Sequence, residues 1–190
     1  MSNPPTRRQN SRLLTESDPV SMTTTQARPS RIDATHFRQL CRLLPTTVVV
    51  VAGMRDDAPV GMVVGTFTTV SLDPLLVGFF GDNSSKTFSV LSGLDRHSFS
   101  VLDQDDTITA DSFRLPLEQR FDSLEWSLSR HETPAIASAV MTFHTRPHSI
   151  VPAGDHQLML AEVLDVDASA HAGRPLLFAE GKMTRLAGKS

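Results

Sequence analysis

Apolar positions follow two different periods along this chain. Phe37, Leu40, Cys41 and Leu44 recur at i, i+3, i+4 and i+7 behind Asp33, a suitable N-cap. This spacing predicts an amphipathic helix with one buried stripe. Pro45 ends it, because proline disfavours the α conformation in the residue before it. Cys41 lies on the stripe and reads as a small core residue rather than a nucleophile. The β-branched run 46–52 then predicts a buried strand. Residues 55–59 read as a turn, 60–64 and 66–72 as strands, Asp73-Pro74 as a turn and 75–80 as a further strand. A polar loop at 81–85 leads into a short helix over 86–94, and 98–102 is again a strand. Residues 105–125 look helical and irregular. Segments 126–129, 139–145, 157–166 and 176–186 supply the remaining strands.

Many short strands with few helices indicate an antiparallel barrel or sandwich, with the helices covering barrel ends. Neither an internal repeat nor a linker appears after residue 31. Residues 1–30 are rich in Ser, Thr, Pro and Arg and cannot bury enough apolar area to order themselves. Arg7 and Arg8 form a twin-arginine pair, but only Leu13 and Leu14 follow where an export signal needs an apolar stretch of roughly 7–15 residues. The expected organisation is therefore a disordered polar tail, 1–30, and one β-rich domain, 31–190, with Met22 as an alternative start.

Composition narrows the function classes. A net charge of -3 argues against a binder of polyphosphate backbones, which carries a basic surface. The chain has no tyrosine and one tryptophan, a poor supply for stacking nucleobases. Its single cysteine, Cys41, allows no intrachain disulfide and points to a cytoplasmic location. No apolar run approaches the roughly 18 residues of a membrane-spanning helix. The Rossmann glycine fingerprint, the phosphate-binding P-loop and the G-x-S-x-G elbow are all missing. His144, His148 and His156 raise the question of a metal. On a regular strand the first two lie roughly 13 Å apart, too far for one ion, so surface or loop histidines are the simpler reading and no metal site is assigned.

Three segments carry candidate chemistry. In the run 59–74, Gly61 and Gly65 sit within strand patterns, where glycine marks a bulge or a close backbone approach by a ligand. Exposed amides there could donate to the edge of a flat heterocycle; local chemistry alone favours ordinary strand glycines. Asn83-Ser84-Ser85-Lys86-Thr87 is a hydroxyl-rich loop entering a helix, suited to a phosphate and equally to a plain serine N-cap. Gly154-Asp155-His156 holds a histidine beside the strand that starts near Gln157, either as a ligand contact or as a hairpin turn.

In this order and spacing the three segments resemble the flavin reductase family of FMN-binding split barrels, the reductase partners of two-component flavin monooxygenases. The resemblance runs from the helix before Pro45 to Leu186. It includes Leu43-Leu44-Pro45-Thr46, the signature Phe67-Thr68-Thr69-Val70-Ser71-Leu72-Asp73-Pro74, Arg120-Phe121-Asp122, the Gly-Asp-His turn and Pro175-Leu176-Leu177-Phe178. It implies a mainly β fold, an antiparallel six-stranded split β-barrel with a few covering helices, homodimeric, with flavin near the dimer interface.

The resemblance also implies roles. Thr46 and Thr47 would approach the flavin ring, Val63, Val64, Gly65, Thr66 and Phe67 would lie along its edge, and Ser71 belongs to the same flavin-side signature. Ser84, Ser85 and Thr87 would meet the ribityl phosphate, and His156 would place the nicotinamide. The activity implied is NAD(P)H-dependent reduction of free FMN or FAD, by hydride transfer between the two cofactors. It needs no nucleophile or metal ligand from the chain, and it supplies reduced flavin to a partner monooxygenase. A flavin-binding electron carrier and a split-barrel oxidase or oxygenase with a fixed flavin are the alternatives. The family usually has Gly at the position of Thr47, Thr or Ser at those of Val63 and Gly65, and Pro at that of Leu75. The two missing hydroxyls leave open whether flavin is held or passes through as substrate.

Overall fold

A computed structural model of the chain describes residues 32–169 and 173–186. The tail expected at 1–30, with Arg7, Arg8 and Met22, lies outside the described residues. The compact unit Ala34–Ser190 carries the strands. In chain order it runs α1 (Ala34–Cys41), β1 (Thr46–Thr47), β2 (Val49–Arg55), β3 (Ala58–Val64), β4 (Thr68–Leu72) and β5 (Leu75–Asp82). Then follow α2 (Lys86–Leu91), β6 (His97–Leu102), α3 (Thr107–Ser112), a 3-10 turn (Leu117–Gln119), β7 (Trp126–Leu128), β8 (Pro134–Ile136), β9 (Ala139–Ala153), β10 (His156–Ala168), β11 (Leu177–Ala179) and β12 (Lys182–Thr184).

The main sheet is antiparallel, with strand order β3-β2-β6-β9-β10-β5-β4. Its two edge strands, β3 and β4, are consecutive in the chain and joined only by Gly65, Thr66 and Phe67. A flat sheet of seven strands would hold its edges roughly 29 Å apart. The connection from Val64 to Thr68 reaches at most about 14 Å. The sheet must therefore curl until its edges adjoin, which makes it a barrel split at Gly65–Phe67. The interior confirms the curl. Val49 and Val51, Phe99 and Val101, Met159 and Ala161, and Val77 and Phe79 alternate inward from four strands and join Val64 in one buried cluster. Phe67 plugs the split, its ring 5.2 Å from Phe99 and 5.3 Å from Phe143. α2 closes one side with Phe88 and Leu91, and Phe88 meets Phe79 edge-on.

A second core lies outside the barrel wall. Val48, Val50 and Ala52 join Leu102, Ala110, Phe113, Phe121, Ile136 and Leu176 there. The segment 48–52 is thus buried on both faces, which is why it is continuously apolar rather than alternating. This second layer consists of α3, the irregular stretch after it, and a small sheet ordered β1-β11-β12.

Several expectations need correction. The stripe of α1 is not buried: Phe37 is 60 % exposed, Leu40 and Leu44 are exposed too, and Cys41 is an exposed free thiol. Periodicity reports that a helix has an apolar face, not that this chain supplies its cover. The strand expected at 46–52 divides at Val48, whose amide bonds Leu176 O at 2.9 Å, so β1 leaves the barrel for the small sheet. The sheet has seven strands where the resemblance implied a six-stranded barrel, and the strand expected at 66–72 starts only at Thr68, after the split at Gly65–Phe67. β9 continues eight residues past the expected end at 145, through Pro147 and Pro152, and pairs with β10 along nearly its whole length. Prolines in a strand pattern argue against a ladder; here the hairpin tolerates them. His144 is fully buried, not a surface residue, bonded to Thr133 at 2.7 Å and Asp167 at 3.0 Å.

Candidate active site

Two hollows adjoin along the outer face of β3. The first, about 220 Å³, is lined by Thr46, Val48, Val63, Val64, Gly65, Phe178 and Met183. Thr46 is the one side chain with a hydroxyl in this otherwise apolar set. The second, about 300 Å³, is lined by Met62, Val63, Ser85, Thr87, Ala110, Phe113, Arg114, Arg120 and Met183. Val63 and Met183 belong to both. The hollows therefore form one groove, apolar at one end and cationic at the other. Its outer wall is the β11–β12 hairpin, whose turn Glu180-Gly181 has φ of 53° and 79°.

Arg120 organises the cationic end. Its Nη1 donates to Gly61 O at 2.8 Å and to Thr87 Oγ1 at 3.1 Å, and its Nε donates to Leu115 O at 3.1 Å. One side chain thus ties β3, α2 and the turn after α3 together, while these bonds leave Nη2. Partial burial lowers the guanidinium's pKa and Glu118 opposes the shift; arginine remains protonated in any case. Thr87 accepts from Arg120 and retains its own hydroxyl hydrogen to donate. Ser85 caps α2, its Oγ accepting from Phe88 N at 3.2 Å. Ser84 is committed elsewhere: its amide and hydroxyl donate to Asp82 Oδ1 at 2.7 and 2.6 Å. These bonds hold the Asp82 carboxyl below its usual range.

The Gly-Asp-His segment closes the β9–β10 hairpin. His156 pairs with Ala153, so Gly154 and Asp155 form a two-residue turn, and Gly154 takes φ of 69°. The turn docks on the serine loop. Asn83 N donates to Asp155 O at 3.1 Å, and Asn83 Nδ2 to Gly154 O at 3.4 Å. His156 Nδ1 lies 2.8 Å from Asp155 Oδ1. That bond, more than the nearby imidazole charge, holds Asp155 below its usual range. An ionised carboxylate only accepts, so Nδ1 carries the proton and Nε2 is the ring's other face.

The structure gathers Thr46, Val63, Val64 and Gly65 at the apolar end of the groove and Ser85 and Thr87 at the cationic end. Ser84, on the serine loop, and His156, at the start of β10 beside Asp82, lie outside the lining of either hollow. Thr47 is half-buried and paired with Leu177. Thr66 Oγ1 clasps Phe80, donating to its carbonyl at 3.2 Å and accepting from its amide at 3.0 Å. Ser71 Oγ accepts from Asp73 N at 3.3 Å. Phe67 belongs to the barrel interior. Arg114, Arg120, Phe178 and Met183 were not among the sequence candidates. Arg120 and Phe178 stand in motifs visible in the sequence, but their convergence on β3 requires the chain to return from 55–115 positions away.

Residues 41–187 match the family model described as flavin reductase like domain. The chain is 31 % identical over 157 residues to the FMN reductase (NADH) SmoA of Agrobacterium fabrum, covering 83 % of this chain and 88 % of that protein. It is 26 % identical over 156 residues to HsaB of Mycobacterium tuberculosis, the reductase subunit of a flavin-dependent monooxygenase, covering 82 % and 83 %. Among solved structures it superimposes on the NADH:FAD oxidoreductase SgcE6 of Streptomyces globisporus, in complex with NAD and FAD fragments. There the TM-score is 0.76 at 30 % identity, covering 82 % of this chain and 93 % of that one.

Proposed function

The chain belongs to the flavin reductase-like family, and on that premise we propose that it catalyses NADH- or NADPH-dependent reduction of free FMN or FAD and hands reduced flavin to a separate monooxygenase. The observation that carries this reading is the polarity of the groove. A flavin nucleotide is a flat, largely apolar heterocycle joined to an anionic phosphate. The groove offers an apolar hollow and, across Val63 and Met183, a cationic one. The donor set at the second end suits a phosphate: a guanidinium with a planar fork of donors and two hydroxyls.

In this reading Val63, Val64, Gly65 and Thr46 receive the ring, and Thr47, Thr66, Phe67 and Ser71 hold the walls that shape its site. Ser85, Thr87 and Arg120 receive the phosphate, with Ser84 fixing their loop through Asp82. His156, oriented by Asp155, presents Nε2 to the nicotinamide. Bound together, flavin and nicotinamide carry the electron chemistry themselves. The chain's part is to bind, orient and keep water from the apolar end.

The split-barrel domain is 31–190, and the chain works in the cytoplasm as a homodimer. The exposed apolar face of α1 supports self-association, since a patch of that kind marks an interaction surface. Among the described residues no helix is long and apolar enough to cross a membrane.

The test is nicotinamide oxidation by the purified protein with FMN or FAD added, beside a His156→Ala variant. Turnover that depends on added flavin, with a raised KM for the nicotinamide in the variant, is the expected result. Flavin binding without turnover would replace the reductase reading with an electron carrier. Flavin that stays with the protein through gel filtration would indicate a fixed prosthetic group.

A further inference from the structure

Two histidines outside the groove stack on each other. His144 on β9 and His131 in the loop between β7 and β8 lie 5.2 Å apart ring to ring, 27° from parallel. Each reaches a carboxylate of β10. His144 Nε2 is 3.0 Å from Asp167 Oδ2, and His131 Nε2 is 3.0 Å from Asp165 Oδ2. Asp165 and Asp167, two apart on one strand, share its face. A carboxylate only accepts, so His144 Nε2 carries a proton and its Nδ1, 2.7 Å from Thr133 Oγ1, is left to accept. Thr133 Oγ1 in turn lies 2.9 Å from Ser129 Oγ. His144 and Thr133 are both fully buried. The hydroxyl chain can run either way: the Thr133 hydrogen points at a neutral His144, or turns to Ser129 when Nδ1 gains a proton. His131 faces a sharper choice, because Arg130 Nε is 3.2 Å from the same Nε2. With a proton there the ring donates to Asp165, and without one it accepts from Arg130.

The charges around the stack are fixed. Arg130 Nη2 also donates to Asp165. Bonds from His131 first and Arg130 second hold the Asp165 carboxyl at about 2, so it stays ionised wherever histidine titrates. Asp95, Arg96, Glu132 and Arg146 line a neighbouring hollow, and Arg146 is paired with Glu162 at 2.9 Å. Within the cluster two carboxylates stand against one guanidinium, which leaves one negative charge. One proton on the histidine pair cancels it. A second makes the cluster positive, with two cationic rings face to face. The cluster also fastens an element. The β7–β8 hairpin lies on the barrel through Thr133 to His144, Ser98 Oγ to Pro134 O, and Ile136 N to Ser100 Oγ at 3.4 Å. At its base Trp126, the chain's one tryptophan, meets Phe121 edge-on at 6.0 Å.

We propose that His131 and His144 form a proton-operated latch on the β7–β8 hairpin: the first proton shared by the stacked pair fastens the hairpin tip to the barrel, and the second drives the rings apart and releases it. Histidine is the side chain whose charge changes between about pH 5 and 8, and two rings in contact titrate as a pair rather than singly. The latch is a conformational device and not part of the binding machinery. The hairpin supports Phe121, the residue after Arg120, and lines neither hollow of the groove.

The experiment is amide hydrogen exchange on the full chain from about pH 8 to 5, corrected for the intrinsic pH dependence of exchange, with Trp126 fluorescence alongside. The amides of Thr133 and Ile136, which bond Ser129 Oγ and Ser100 Oγ, report the hairpin, and those of β2 report the barrel. Hairpin protection should peak inside the range and fall by about tenfold or more at its acid end, the scale of a like-charge contact at this separation. The β2 amides should hold, and Trp126 emission should shift to the red over the same span. His131→Gln leaves one ring to be charged, so its hairpin should stay protected at the acid end. His144→Gln keeps a donor for Asp167 and an acceptor for Thr133 and should behave alike. If the buried site rejects that change, His131→Gln decides alone, its side chain being 24 % exposed. Acid release that persists in His131→Gln, hairpin and β2 amides opening together, or protection that does not change across the range would each overturn the latch.

Discussion

Two basic side chains, Arg120 charged at the groove and His97 neutral in the interior, set the residue-scale behaviour of this molecule. Arg120 is held by three carbonyl or hydroxyl acceptors and by no carboxylate among them, an arrangement that leaves its charge for an anion. Arg120→Ala should weaken FMN binding by about tenfold or more, the scale of a charge-assisted hydrogen bond. Riboflavin, which lacks the phosphate, should bind both proteins alike, and comparing the two dissociation constants checks the assignment. His97 is the opposite case. It is fully buried, its Nε2 donates to Leu91 O at 2.7 Å, and its Nδ1 has no partner within the described residues. Burial holds its pKa below the usual histidine value, with the Leu91 carbonyl opposing. Above about pH 6.5 both folded and unfolded chains carry it neutral. Below that the unfolded chain takes up a proton that the folded one refuses. Stability should therefore fall as pH drops from about 6.5, by up to about 1.4 kcal/mol per pH unit until the lowered folded pKa is reached. Urea midpoints measured across that range should flatten in His97→Gln.

At the scale of elements, glycines separate turns that need a backbone from contacts that need space. Gly154 sits at φ of 69° with nothing within 4 Å of a would-be Cβ. Gly154→Ala should cost about 1–2 kcal/mol through backbone strain alone. It leaves the packing untouched but strains the turn that carries His156. Gly81 has an ordinary backbone, but a Cβ there would lie 2.1 Å from the Phe88 ring. Gly81→Ala must push α2 off the barrel, and overpacking of this kind costs typically about 1–3 kcal/mol or more. Its larger effect should appear as both a lowered thermal midpoint and weaker flavin binding, since Ser85 and Thr87 move with α2. Equal midpoints for the two variants would contradict this account of Phe88. The strands of the barrel were legible in the sequence because burial on one or both faces writes a period into the residues. β8 and the far half of β9 were not: the first is three residues long, and the second hides behind two prolines.

At the scale of the whole molecule, α1 and the turn after it present an exposed apolar face with Phe37, Leu40 and Leu44. As a dimer contact it should respond to charge. The double substitution Phe37→Asp/Leu40→Asp is expected to shift the protein to monomer in sedimentation without unfolding the barrel, since neither side chain enters the core. A variant that stays dimeric would place the interface elsewhere.

The residues by themselves determined the β-rich class, the turns at Gly154 and Asp73-Pro74, and the segments worth watching, because backbone preference and hydrophobic period are local properties. The family resemblance was likewise carried by short motifs in a fixed order. Only the tertiary structure decided which of those motifs meet. Arg120 reaches Gly61 and Thr87 across 59 and 33 positions of chain, and Phe178 and Met183 return to close the groove on Val63. Whether the stripe of α1 is covered, and what a side chain at position 65 would meet, depends on atoms that are distant in sequence. No local period records such pairs, since they are fixed by how the sheet curls and not by what any one segment prefers.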